Sequence, residues 1–265
     1  MRRVGFVFFA LSFSIAVAAC SSSSDPNSSQ NTVDSGAIDL GATDSGSPSN
    51  DGGGSPVPND AGEYPYDGGK LAADRFVTGV VNYSPGPCGG FGSESLPSVV
   101  MGPPIGGGLS SGSTDVVSLG NGGSITLSFA PNAIVDGPGA DFIVFENPFL
   151  TNPNDPTTVY AEPGEVSVSD DGTTWTTFAC TATAYPYGAC AGWHPVLSSP
   201  ENGISPVDVS AAGGDAFDLK DVGVTQAKYV RIVDKSNESC ADPGGSNDKN
   251  GFDLDAISIV NAQTP

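Results

Sequence analysis

The 265 residues allow one or two domains, and 36 glycines with 22 prolines exclude an architecture of long helices, because these residues cost about 1 and 3 kcal/mol in a helix interior. Thirty acidic residues against nine Lys and Arg give a net charge of −21, which excludes a nucleic-acid footprint and adhesion to anionic head groups and favours cations as partners. A single histidine excludes zinc and haem centres that need several.

Residues 1–20 read as a targeting segment. Arg2 and Arg3 form a positive start, and Val4 to Ala19 is an apolar run too short to span a bilayer comfortably. Val17-Ala18-Ala19-Cys20 has the order of a bacterial lipobox, which implies cleavage before Cys20 and lipidation of its thiol. The expected address is the bacterial cell envelope, held through the lipid anchor, at the outer membrane and surface-exposed. An ordinary secretory signal is the alternative. Residues 21–70 read as a disordered acidic tether. Ser21 to Gly69 holds eight acidic residues and no Lys or Arg, and it buries too little apolar surface to offset its ordering entropy. Such a chain spans about 40 Å or more.

Residues 71–265 read as one globular domain. Short apolar segments recur between turn signals at Phe76–Tyr83, Asp115–Leu119, Ser124–Phe129, Asp141–Phe145, Glu165–Ser169, Thr173–Phe178, Lys228–Val233 and Asp253–Val260. Most are rich in Val, Ile, Thr or Phe and of strand length. Asp170-Asp171-Gly172 lies between two of them and reads as a hairpin loop. The expectation is all-β, an antiparallel β-sandwich of jelly-roll type. Four cysteines remain after Cys20, and export favours their pairing. Of three connectivities, Cys180–Cys190 with Cys88–Cys240 is favoured, closing one short and one long loop.

Two acidic clusters invite a metal. In Asp248-Lys-Asn250-Gly-Phe-Asp253-Leu-Asp255, strict alternation puts Asp253 and Asp255 on one face with Ile257 and Ile259. Carboxylates at a core rim are expensive to desolvate. Ca²⁺, which accepts six to eight oxygens, would relieve them. The bland alternative is a solvated acidic turn. The second cluster is Asp141, Glu146 and Asn147 around the apolar run Phe142–Phe145, with Glu162, Glu165, Asp215 and Asp218 as further candidates. Paired acids also suit a glycoside hydrolase, where Glu146 with Glu162 or Glu165 would be the pair. His194 reads as a structural loop residue, and no GxSxG elbow accompanies it. Tyr185, Tyr187 and Trp193 surround the expected Cys180–Cys190 loop. They form either a platform for stacking a sugar or rings that pack the loop down.

Val166-Ser-Val-Ser-Asp-Asp-Gly-Thr-Thr-Trp175 and Ala227-Lys-Tyr-Val-Arg-Ile-Val233 resemble the discoidin-like, galactose-binding-domain-like jelly rolls. The wider pattern is similar to a myxobacterial-type group of "cell surface protein" lipoproteins. It is carried by Asp115–Gly120, Asp136–Pro148, Ala161-Glu-Pro163, Gly213–Leu219 and Gly251–Ala256. The resemblance implies a sandwich fold and a surface address and leaves the activity open, the discoidin-like domains mostly binding carbohydrate, lipid or protein. The expected function is non-catalytic recognition at the cell surface, with a glycan or a cell-surface protein as partner. A structural or adhesive envelope protein is the competing class.

Overall fold

The computed structural model describes residue 58 and residues 62–66, 69–181, 183–236 and 251–265. The chain divides into two units, Met1–Ser49 and Asn50–Pro265, and all of these residues belong to the second. Residues 1–20 with Cys20, most of the tether, Cys240, Asp248 and Asn250 lie outside the described residues. The unit is an antiparallel β-sandwich. Its helical pieces among the described residues are 3-10 turns of three or four residues, and none is long and apolar enough to cross a membrane.

The larger sheet has five strands in the spatial order Thr176–Thr177, Gly164–Ser169, Tyr229–Asp234, Ser124–Ser128, Gly79–Ser84. Tyr229–Asp234 is its centre, pairing with Gly164–Ser169 on one side and Ser124–Ser128 on the other. Period-two alternation sends Val230 and Ile232 inward, where Val166, Val168, Ile125 and Leu127 join them in one core. Arg231 points outward and lays its guanidinium 4.3 Å from the Trp175 ring centroid.

The facing sheet has three strands, Asp215–Phe217, Phe142–Phe145 and Ala256–Ile259. Its middle strand is apolar throughout because both of its faces are covered. Phe142 and Val144 enter the core shared with the larger sheet. Ile143 and Phe145 pack on the other side with Val196, Ala212 and Ala256. Smaller pairings tie the sandwich ends: Val117–Ser118 with Asp253–Leu254, and Ala133–Val135 between Gln226–Ala227 and Ala262–Gln263.

Three sequence expectations change. The expected strand 253–260 breaks at Asp255, whose N–H donates to the Phe145 carbonyl, so 253–254 and 256–259 pair with different partners. Asp253 and Asp255 therefore part company. The Asp115–Leu119 and Thr173–Phe178 segments contract to two-residue strands, Val117–Ser118 and Thr176–Thr177. Glu63–Tyr66 and Gly69–Ala72, read as tether up to residue 70, form a hairpin, and Tyr64 is buried edge-on against Phe76. The Asp170-Asp171-Gly172 turn joins Gly164–Ser169 to Thr176–Thr177 as a hairpin. Cys180 and Cys190 form a disulfide. Cys88 is also disulfide-bonded, and the partner expected for it, Cys240, is among the residues not described.

Candidate functional site

Two places gather chemistry. The first is an acidic centre at one end of the sandwich, where inward columns of side chains end in carboxylates. On the small sheet the column Phe142, Val144 is continued by Glu146, which is 2% exposed. On the large sheet Val230, Ile232 is continued by Asp234, also buried. The column Val168, Val166, Gly164 is continued by buried Glu162. Gly164 carries no side chain because the Phe252 ring occupies that space; a Cβ there would sit 2.5 Å from the ring. Phe252 in turn delivers Asp253 to the centre.

Oxygens of Glu146, Glu162 and Asp253 lie within 4.8 Å of one another. Backbone donors hold the group: Asp253 N–H donates to Glu146 Oε1 at 3.0 Å, Gly251 N–H to Glu162 Oε1 at 2.5 Å, and Phe252 N–H to Asp234 Oδ2 at 3.0 Å. Glu146 Oε2 and Asp253 Oδ1 are buried and take no hydrogen bond. Burial, then the charges of Asp253 and Glu162, push the Glu146 carboxyl well above the usual carboxylate range. Burial pushes Asp253 up to about 6, against the lowering effects of the Ser118 hydroxyl and the Asn147 side chain. A cluster of acids so arranged is able to hold a metal ion.

The other acids expected at a metal go elsewhere. Asp255 is buried, and both of its oxygens accept the Ile105 N–H, at 3.0 and 3.2 Å. Burial raises its carboxyl well above the usual range. Asp141 lies near Asp136 and Asp218 in a second acidic group. Its carboxylate is filled by donors: Gly137 N–H, Leu219 N–H and Asn261 Nδ2, each at 2.8 Å. Its carbonyl also accepts from Val260 and Asn261. Asp141 clamps three loops together. Asn147 accepts the Ser113 N–H, and Glu165 pairs with Lys235 at 3.5 Å.

The second place is a cleft of about 230 Å³ lined by Phe178, Cys190, Trp193, His194, Asp215 and Phe217 among others. The Cys180–Cys190 disulfide restrains the loop above it. Tyr185 and Tyr187 lie 5.7 and 6.2 Å from Trp193 between ring centroids, so the three aromatic residues singled out from sequence come together. Trp193 Nε1 donates to the Cys190 carbonyl at 2.9 Å, which fixes the indole. Its ring lies 3.7 Å from that of His194.

Buried Asp215 organises this side. It accepts the Gly192 N–H at 2.7 Å and the Trp193 N–H at 3.1 Å through Oδ2, and its Oδ1 lies 2.7 Å from His194 Nδ1. Burial raises its carboxyl, opposed by the His194 contact. With Nδ1 held, half-exposed His194 has Nε2 left to meet a solute. Gly192 must be glycine here: its φ is +88°, and a Cβ would lie 2.4 Å from the Glu162 carbonyl.

His194 and Asp215 were not legible as a pair, being 21 residues apart. A signal for Asp215 does exist, since it shares strand parity with buried Phe217 while Ala216 is exposed. Asp234 carries the same signal, two residues beyond Ile232.

No family model and no curated protein matches the chain. Solved structures similar to it include a glycoside hydrolase, 10% identical over 55% of this chain with a TM-score of 0.27. Another is the C-terminal domain of a chitobiase from Bacteroides fragilis, 12% identical over 52% of this chain with a TM-score of 0.22. The chain spans 22% of the hydrolase and 61% of the chitobiase domain.

Proposed function

We propose that this chain is a bacterial envelope lipoprotein, anchored through Cys20 and displayed on a tether, whose sandwich is a non-catalytic, calcium-stabilised recognition module with carbohydrate as its ligand class. The observation that carries the reading is the cleft beside Trp193. It combines a fixed indole and the Phe178 and Phe217 rings with a polar His194–Asp215 pair, and Tyr185 and Tyr187 of the disulfide-restrained loop pack beside the indole. A sugar ring presents apolar C–H faces and polar hydroxyl edges. An aromatic wall with a few convergent polar groups is the matching chemistry. Glu146 and Glu162, a pair of acids a hydrolase could use, are buried and do not line this cleft. The acids that do are Asp215 and Asp221, and Asp215 is engaged by two backbone N–H groups and His194, which supports binding over hydrolysis.

A glycan array probed with the full chain tests this. Binding to a defined set of saccharides is expected, with loss of binding in Trp193→Ala while its melting temperature shows it still folded. An array that stays dark overturns the carbohydrate reading, as does a Trp193→Ala variant that binds as well as the parent.

A further inference from the structure

We propose that Glu146, Glu162 and Asp253 form the coordination site of a single structural Ca²⁺ that fastens the two sheets of the sandwich to each other. This deepens the calcium part of the reading above and is independent of its saccharide part. An acidic cluster alone would not carry it. What points to a ligand is the state of the oxygens. Glu146 is 2% exposed, and Oε2 takes no hydrogen bond. Asp253 Oδ1, in the same group, is also a buried oxygen without a hydrogen-bond partner, though the Ser118 hydroxyl and the Asn147 side chain act on its carboxylate. Buried polar atoms are almost always partnered, and an unpartnered carboxylate oxygen is among the costliest to leave so. Two in one cluster mark the place of a missing electrophile.

The chemistry and the dimensions narrow its identity. Every side chain in the group is a carboxylate, which selects a hard cation over zinc or copper. The carboxylate oxygens lie within 4.8 Å of one another, close enough to share one ion. Calcium accepts an irregular all-oxygen shell of carboxylates and water, whereas magnesium demands a near-ideal octahedron and gives up its own waters reluctantly. Three carboxylates, those of Glu146 and Glu162 already tied to backbone donors, therefore suit calcium. Glu162 Oε1 and Glu146 Oε1 already accept backbone N–H groups. Those donors orient the carboxylates and leave other lone pairs for the ion. Water would complete the six to eight ligands that calcium takes.

The ligands also come from the right places for a fastener. Glu146 follows the central strand of the small sheet, Glu162 leads into Gly164–Ser169 of the large sheet, and Asp253 sits in the short strand that ties Val117–Ser118. One ion would join three chain segments that are otherwise distant in sequence.

The test is calorimetry and thermal melting of the full chain after chelator treatment, at physiological ionic strength, titrated with CaCl₂ and separately with MgCl₂. A saturable one-site heat and a saturable rise in melting temperature with calcium are expected. Glu146→Gln keeps the shape and removes the charge. It should lose both responses, yet melt without metal at or above the parent, because an ionisable group buried beside other carboxylates has been replaced by a neutral amide. Asp255→Asn, whose parent carboxylate is occupied by Ile105, should melt lower but keep the calcium response. No saturable calcium binding overturns the proposal. So does a Glu146→Gln variant that binds calcium like the parent, or a magnesium response equal to that of calcium. Array binding read through Trp193 is a separate measurement, so failure of either reading is seen without the other.

Discussion

Asp171 shows how much one carboxylate can organise. Its Oδ1 accepts the N–H groups of Thr173 and Thr174, both at 2.7 Å, and the Ser169 hydroxyl at 3.0 Å, while Oδ2 accepts the Thr174 hydroxyl. These bonds favour the ionised form and hold its carboxyl far below the ordinary 3.8. A carboxyl lowered in the folded state binds fewer protons there than in the unfolded chain. Its stabilisation is therefore whole above the ordinary value and is lost as pH falls below it. Asp171→Asn should lower the melting temperature at neutral pH, and the gap to the parent should close as pH drops below about 4. A gap that is constant with pH would mean the turn depends on shape and not on the charge. The same logic separates Asp171 from Glu146. Both are carboxylates near a strand end, but the one saturated with donors is a finished structural device, and the one with an orphaned oxygen is not.

At the scale of strands, close packing between the sheets sets the tolerances. Gly164 and Gly79 both start strands of the large sheet. A Cβ on Gly164 would lie 2.5 Å from the buried Phe252 ring and 3.0 Å from Ile232, whereas a Cβ on Gly79 meets nothing within 4 Å. Gly164→Ala should cost about 1–3 kcal/mol, the usual range for overpacking a filled core. Gly79→Ala should be near neutral. Chemical denaturation of the two variants checks this, and equal midpoints would show that Phe252 can yield. The same contrast explains what was legible in the sequence. Ser124–Ser128, Gly164–Ser169 and Tyr229–Asp234 are long enough for alternation to declare itself. Val117–Ser118, Asp253–Leu254 and Gln226–Ala227 are strands only because a distant partner lies beside them, and two residues carry no period. The site divides in the same way. Tyr185, Tyr187 and Trp193 were legible because a local disulfide loop gathers them. Glu146 and Asp253 were each visible as misplaced acids. Their meeting with Glu162 depends on two sheets docking, which no spacing along the chain encodes. The break at Asp255 that sends its carboxylate to Ile105 depends likewise on the Phe145 carbonyl lying opposite.

For the whole molecule the dominant fact is charge. Thirty acidic residues face nine Lys and Arg, a net charge of −21, and the surface pairs Lys228–Asp170 and Lys235–Glu165 offset little of it. Self-repulsion at this density opposes the compact state and is relieved by screening. Sodium chloride should therefore raise the melting temperature of the chelator-treated chain gradually between about 0.01 M and about 1 M, as the screening length falls from about 30 Å to about 3 Å. The rise should flatten gradually with the screening length and show no stoichiometric end point. It should be the same in Glu146→Gln as in the parent, since one charge among so many changes the general field little. A fall with salt would instead mean that specific surface pairs outweigh the net repulsion. The distinction bears on the acidic centre, because any divalent ion also screens. Screening acts on the whole surface and weakens its own marginal effect as salt accumulates. A buried ion held by Glu146, Glu162 and Asp253 stabilises by mass action, and its increment should persist at high salt because buried charges are screened much less than exposed ones. Calcium added at high sodium chloride thus isolates the site from the field: an increment that survives there belongs to the carboxylate group, and one that vanishes belongs to the surface.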